Sequence, residues 1–461
     1  MPYSLMTRFF AKNVFIALIL AIYSQAVFAS KVVVIGMGPA GLLAAYHQLK
    51  LGQQVTIIEQ REEPFTRYGR AALSRDFLNH VMRHLSNYSL NGYSLKMPEL
   101  HTGAYEINLV QKQTSPQAPM LAVSAADQDF LELVISNHRA LSVQQVQNYL
   151  LQKIENKRGL EIIRPATIKR INATSGEVIL ENHPQAISFD ELIIADGTSR
   201  RATALLFGSI DKELKPTSLP LPHRNHTKYA MTRINLLNTD PEVIARIKPR
   251  SIISPAVFNS SNLSSSHLAI LKGLGWDQDY LPVVAVQYIE KDQQFYLFTE
   301  IPEDWYKLSE QEFFNTFQQF AHVLLKIEHP VLMQSEQAFF MQNQATAFTV
   351  APNTINTPIL YLGNKRHAFI IGDALFTPHI LFGHGMRNAA RGALAVAKCF
   401  DMNGKFKSEE PMAELLKDLH NDYKTMNRRC KLMLYLDQYP TAKKSLLYLV
   451  DRYNQLKTEI F

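Results

Sequence analysis

The sequence predicts an α/β domain interrupted by a mostly antiparallel β domain and followed by a helical tail. Near the start, the β-branched run Lys31-Val32-Val33-Val34-Ile35 breaks into a glycine turn and then an Ala/Leu-rich helical pattern. Near the end, His367 to Ile371 repeats the arrangement, leading into Gly372-Asp373 and a glycine-led helix. Between them the runs are longer and are separated by loops rich in Ser and Asn. Only 19 of 461 residues are glycine, below the usual share of roughly 7%, so two tight glycine clusters are a pointed signal.

Taken in order, Arg8 and Lys12 precede the apolar run Val14 to Tyr23, and polar Ser24-Gln25 leads to Ala26-Val27-Phe28-Ala29. That is the anatomy of a secretory signal peptide over residues 1–29, with cleavage after Ala29 and export to a periplasm or the medium. The run falls short of the roughly 20 residues of a spanning helix, so no permanent membrane span is expected after cleavage; an uncleaved chain would be anchored. From Lys31 the pattern reads strand, turn (Gly36-Met37-Gly38-Pro39-Ala40-Gly41), helix, Gly52 and a second strand, Gln54 to Glu59, which is a βαβ unit with a right-handed crossover.

Alternating runs at Tyr105–Val110 and Leu131–Ile135 predict antiparallel strands, and a helix from Ser142 to about Asn156 would bury Val143, Val146, Leu150 and Ile154 on one face. Short strands follow over Glu161 to Ile179, and Phe189 to Ala195 is a buried strand ending in Asp196-Gly197 that returns to the first sheet. These residues, 30–207, form the first part of the α/β domain. Residues 208–345 are expected to form the inserted substrate domain, with strands at Tyr229–Leu237, Val283–Ile289 and Gln294–Thr299 and a helix at Trp305–Ile327. Residues 346–400 return to the α/β domain with a helix from Gly385 to Phe400, and 401–461 form the helical tail.

Composition narrows the function classes. With 46% hydrophobic and 10% aromatic residues the chain can bury a large core, which excludes a disordered or low-complexity protein. The net charge of +7 is scattered without a basic run, and no nucleic-acid-binding pattern is present, so no nucleic acid partner is expected. Two cysteines, Cys399 and Cys430, cannot build a disulfide framework or a thiolate zinc site, and no other metal-ligating set is visible. Cys399, Trp276 and Trp305 read most simply as packing residues. His379 and His384 flank the second glycine turn as loop histidines or as hydrogen-bonding partners at a site. Arg70, Arg200 and Arg201 are candidate cations for an anionic ligand or ordinary surface residues.

The first glycine turn carries chemistry. Gly36 permits a tight turn, Gly38 lets backbone approach a pyrophosphate, and Gly41 allows close helix–strand packing, while the helix N-terminus offers free N–H groups and partial positive charge. Glu59 ends the second strand at the roughly 20-residue offset where a carboxylate accepts hydrogen bonds from an adenosine ribose. The combination points to dinucleotide binding. The second turn would bring Asp373 to the sugar-like chain of a flavin and the helix N-terminus near Gly385 to the electron-rich end of its ring, where a helix dipole stabilises negative charge on reduced flavin; this selects FAD.

With Ile194-Ala195-Asp196-Gly197-Thr198-Ser199-Arg200, these motifs resemble, in order, the three fingerprints of the class A flavoprotein monooxygenases. Among these the chain is most similar to the flavin monooxygenase domain of the MICAL proteins, through Glu59-Gln60-Arg61 with Phe65 and Arg67, Leu141-Ser142-Val143-Gln144-Gln145, and Gly372-Asp373-Ala374-Leu375 with Pro378, Gly383 and Gly385. The resemblance implies a glutathione-reductase-type Rossmann-like domain that holds FAD noncovalently. The implied contacts are Gly36, Gly38, Pro39, Ala40, Gly41, Glu59, Gln60, Arg61, Arg67, Gln144, Asp196, Gly197, Gly372, Asp373, Pro378, Gly383, Gly385 and Met386. It also implies NAD(P)H as hydride donor, with oxygen reaching an unidentified substrate, a small molecule or a protein side chain, through a flavin C4a-hydroperoxide. The sequence departs from the family at Leu375-Phe376, where Ala-His is common. No catalytic side chain is implied, because the flavin does the chemistry. A flavin oxidase or dehydrogenase reduced by its own substrate, and a flavin-binding effector without turnover, are the alternatives.

Overall fold

A strand flanked on both sides by other strands and covered on both faces must be apolar along its whole length, and the Val-Val-Val-Ile run meets that demand. In the computed structural model of the chain it is β1 (Lys31–Ile35), whose last four residues are at most 4% exposed. The structure describes residues 30–63, 70–72, 77–78, 80–81, 93–96, 108–111, 127, 129–130, 133–134, 140–221, 227–235, 265–278, 282, 284–289, 294–328, 340–341, 345–379 and 384–437. The expected signal peptide, Phe65, Arg67 and Gly383 lie outside them.

Helix α1 (Pro39–Lys50) follows, with Pro39 in its first turn, where a missing N–H does no harm, and Lys50 in its last, where a cation suits the dipole. It leads to β2 (Gln54–Ile58). Helix α2 (Val143–Gln152) starts at a capping box: Gln145 N–H donates to Ser142 Oγ (3.1 Å) and Ser142 N–H donates to Gln145 Oε1 (2.8 Å). Strands β3 (Leu160–Ile163) and β4 (Glu191–Ile194) and helix α3 (Arg201–Ser209) complete the first part.

The inserted region is built on β5 (Lys228–Asn235), α4 (Ser265–Gly273), β6 (Val284–Ile289), β7 (Gln294–Glu300) and α5 (Glu310–Glu328). In it, β5 pairs antiparallel with β7 and with β8 (Thr346–Thr349), and β7 pairs antiparallel with β6. The chain then returns through β9 (Ile359–Tyr361) and β10 (His367–Ile370) to α6 (Gly385–Lys398) and α7 (Glu410–Asp437). The main sheet has the order β9-β10-β4-β1-β2-β3, parallel throughout except for β9 against β10. The predicted return of the Asp196 strand and of the His367 strand to the first sheet is therefore observed.

Three elements differ from the sequence reading. Leu133 and Val134 are helical rather than part of a strand, as are residues 127, 129 and 130. Asp127, Phe130 and Val134 are buried at spacings of three and four, a helical stripe that the short alternation of Leu131 to Ile135 conceals. Helix α4 occupies part of a region read as Ser- and Asn-rich loop. The helix expected from Trp305 is split into a 3-10 turn at Glu303–Lys307 and α5, because the Ser309 hydroxyl and N–H both bond Glu312 Oε2 (2.6 and 3.0 Å) and start a new helix.

Two cores result. One surrounds the main sheet; the other packs Trp276, Trp305, Phe313, Phe317 and Phe320 under the antiparallel sheet, so both tryptophans are packing residues. Helix α7 docks on α6 through buried Met412, Leu415, Leu419 and Tyr423, and Arg391 binds Asp418 (2.6 Å) and Asp422 (2.5 Å), one turn apart. No helix among the described residues is long and apolar enough to cross a membrane.

Cys399 is fully buried at the end of α6, and burial pushes its thiol up to about 12. The thiolate is the reactive form. In a Cys430→Ser background, dithionitrobenzoate at pH 8 is expected to titrate no thiol in native protein and one after unfolding in guanidinium.

Candidate functional site

The two glycine turns lie side by side. Gly36 has φ +99° and donates its N–H to Ile58 O (2.9 Å); a Cβ here would stand 2.4 Å from the Ala195 carbonyl oxygen. At Gly41 a Cβ would stand 2.0 Å from the Gly36 carbonyl oxygen, so α1 reaches β1 only because this residue is glycine. Gly372, with φ +61°, would place a Cβ 2.8 Å from the Ala40 Cβ, which puts the second turn directly on the first. The Gly197–Ser199 turn packs against Gly372–Ala374 as well. All three motifs therefore meet at one end of the parallel sheet, above the carboxyl ends of β1, β4 and β10.

Gly38 is different. It has ordinary dihedrals, φ −70° and ψ 173°, and nothing lies within 4 Å of where its Cβ would be. It caps α1 without a side chain, so open space stands over the helix N-terminus, where unpaired N–H groups and the dipole attract an anion.

The charged groups expected to touch a cofactor are largely engaged with the turns. Glu59, 5% exposed, accepts the Met37 N–H (2.9 Å), the Arg61 N–H (3.0 Å) and Arg61 Nε (2.9 Å). Burial alone would raise its carboxyl, but the Arg61 and Met37 donors outweigh burial and hold it below the ordinary 4.5. Arg61 thus braces Glu59. Asp196 receives Ala202 N–H (2.7 Å) and Thr203 N–H (3.1 Å) on Oδ2 and the Thr203 hydroxyl (3.0 Å) on Oδ1, so its side chain caps the start of α3 from outside the N-cap position, which Arg200 occupies. Burial raises the Asp196 carboxyl despite these donors.

Arg200, 6% exposed, donates Nε to Ala374 O (2.7 Å) and Nη2 to Asp373 O (3.1 Å) and Thr377 Oγ1 (3.1 Å), tying the second motif to the third. Among the described residues it holds no ion pair, whereas Arg201 is exposed and stands 3.7 Å from Glu181. Arg70 lies in the short strand Arg70–Ala72, which pairs with residues 140–142. Asp373, Pro378 and Gln144 are half-buried, Gln60 is exposed and Met386 is 5% exposed in the first turn of α6, next to Gly385. Buried His379 meets Tyr229 of β5 edge-on, ring centres 5.9 Å apart, which joins the second turn to the antiparallel sheet.

Sequence reasoning missed Gln147. One turn beyond Gln144 on α2, it is 1% exposed and donates Nε2 to Met37 O (2.9 Å). Its Oε1 is buried and has no hydrogen-bond partner among the described residues. The only sequence signal is the helix phase set by the Ser142 cap. Open space at Gly38, an anion-attracting helix start and, at the turn, a buried acceptor that a ribose hydroxyl can donate to suit a dinucleotide.

The fold itself is shared with solved structures. A variant of PqsL from P. aeruginosa matches with TM-score 0.51 at 13% identity, over 88% of this chain and 96% of that one. OxyS anhydrotetracycline hydroxylase from Streptomyces rimosus matches with TM-score 0.50 at 11% identity, over 92% of this chain and 73% of that one. At such identities the likeness shows the fold. No protein-family model matches the sequence, and no curated protein sequence does.

Glu59 makes the first turn acid-sensitive. Its folded pKa is lowered, so its contribution to stability is present above the unfolded value of 4.5 and is lost as pH falls through the folded value. The melting-temperature gap between wild type and Glu59→Gln should be widest near neutrality and narrow steadily from pH 4.5 downward; a gap constant down to pH 3 would contradict it.

Proposed function

We propose that the chain binds FAD noncovalently across the two turns and is a flavin-dependent oxidoreductase of the monooxygenase type, with NAD(P)H and oxygen as co-substrates. The observation that carries this is the direct packing of the Gly372 turn on Ala40 beside the open Gly38 N–H cradle. The fold shared with OxyS, a hydroxylase, agrees with it. Under this reading the Gly36–Gly41 turn and the Glu59 loop hold the adenosine diphosphate half, and Gly372, Asp373 and the α6 N-terminus hold the ribityl and ring half.

Bound flavin would supply hydride acceptance and oxygen activation. The protein's own part is to bind, orient and exclude water, with Gln147 Oε1 and the α1 N–H groups as polar anchors at the first turn. The unidentified substrate would enter between the sheets, where residues 208–345 act as the substrate domain and His379 bridges to Tyr229. The MICAL-like motifs belong to the same proposal, as does export, which predicts a mature N-terminus at Ser30.

An absorbance spectrum of purified protein before and after NADPH tests the reading. Flavin bands that bleach within seconds support it, and bands that persist until a substrate is added favour the oxidase or dehydrogenase. Protein that carries no flavin and takes up none would overturn it.

A further inference from the structure

Arg200 is held in the left-handed region, φ 50° and ψ 27°, where a residue with a Cβ stays only when its surroundings impose it. The kink falls between the Gly197–Ser199 turn and α3, so the side chain leaves the helix path and runs inward rather than to solvent. There it meets three neutral acceptors, Ala374 O, Asp373 O and Thr377 Oγ1, and Thr377 Oγ1 itself donates to Asp373 O (2.8 Å). Among the described residues no carboxylate oxygen hydrogen-bonds it, although the Asp196 and Asp373 carboxylates act on its charge through space.

The geometry has a directional consequence. In a planar trans peptide the carbonyl and the N–H point opposite ways, so gripping the carbonyls of Asp373 and Ala374 turns the N–H groups of Ala374 and Leu375 away from the guanidinium. The Leu375 N–H closes on Gly372 O (3.1 Å). Arg200 therefore grips from one side the Gly372–Ala374 turn, which also packs on Ala40 of the first motif, on the Gly197–Ser199 turn and on α6.

We propose that Arg200 is a positioning residue for the flavin half of the cofactor, aligning the Gly372-Asp373 turn with the Gly36 turn through its grip on two backbone carbonyls. The inference rests on the FAD reading above and deepens it. It separates the two halves of the ligand: the adenosine diphosphate half needs only the first turn, and the flavin half needs the second turn in register. A lysine ammonium keeps the charge but has one donor nitrogen where Arg200 uses two, so it should hold the turn only in part.

The test compares FAD and ADP binding by calorimetry in wild type, Arg200→Gln and Arg200→Lys, with circular dichroism and melting temperature as folding controls. Arg200→Gln is expected to weaken FAD by about tenfold or more, the scale of losing hydrogen bonds from a charged donor, and to leave ADP within about twofold. Arg200→Lys should fall between. Equal losses for FAD and ADP, or no loss for either, would overturn the assignment. Should Arg200→Gln fail to fold, Thr377→Val removes one acceptor and the Thr377 bond to Asp373 O, and the same FAD-selective loss is expected at smaller size; its absence would overturn the assignment too. Wild type that binds ADP and not FAD would instead reject the flavin reading, and the role of Arg200 with it.

Discussion

Gly38→Ala is expected to leave the melting temperature within about 1 °C of wild type and to abolish flavin retention, while Gly41→Ala should destabilise the protein by about 3 kcal/mol or more. The contrast follows from the space around two glycines three residues apart. At Gly38 an added methyl meets nothing within 4 Å and the backbone is in a region open to any residue, so the fold has no reason to object. That methyl would, however, fill the space through which a phosphate reaches the first N–H groups of α1. At Gly41 the methyl would collide at 2.0 Å with the Gly36 carbonyl, whose peptide plane is held by the Met37 N–H bond to Glu59 Oε2 (2.9 Å). The collision can be relieved only by lifting α1 from β1, at the centre of the larger core. Urea denaturation and flavin absorbance of the two variants check the pair. Flavin retained by Gly38→Ala would mean that the open space is not the phosphate site.

The strand–turn–helix units were legible because their determinants are local. A run of β-branched residues buried on both faces has few other uses, and glycine at Gly41 answers to a contact within the same unit, although Gly36 answers to the Ala195 carbonyl after β4. The Ser142 capping box is legible for the same reason. What escaped was set by contacts distant in sequence or by helix phase. Leu131 to Ile135 offers five residues in which period two and period 3.6 look alike, and only the burial of Asp127, Phe130 and Val134 decides between them.

Side-chain direction was the least legible property of the site. Glu59, Arg61, Asp196 and Arg200 have the residue types of cofactor ligands, yet each is engaged mainly with the turns that would present the cofactor. The left-handed φ of Arg200 has no signature in the sequence, since glycine is the residue that normally announces it. Gln147 could be distinguished from Gln144 only by knowing which face of α2 lies on Met37.

Asp196 provides the sharpest separation between a ligand and a brace. Its Oδ2 accepts two backbone N–H groups at the start of α3 and its Oδ1 accepts the Thr203 hydroxyl. Asparagine can set its single carbonyl oxygen where Oδ2 stands and keep both backbone bonds. Its amide then faces the Thr203 hydroxyl, which can rotate from donor to acceptor. Asp196→Asn is therefore expected to lose less than about 1 kcal/mol, and Asp196→Ala, which strips all three partners from a half-buried helix start, about 2–4 kcal/mol. If Asp196 acts as the cap, Asn retains flavin with unchanged affinity and Ala weakens it in step with stability. If the carboxylate charge instead contacts the cofactor, Asn loses affinity while the fold stays intact. Paired urea titrations and flavin binding curves distinguish these outcomes, and the three short hydrogen bonds into α3 predict the first.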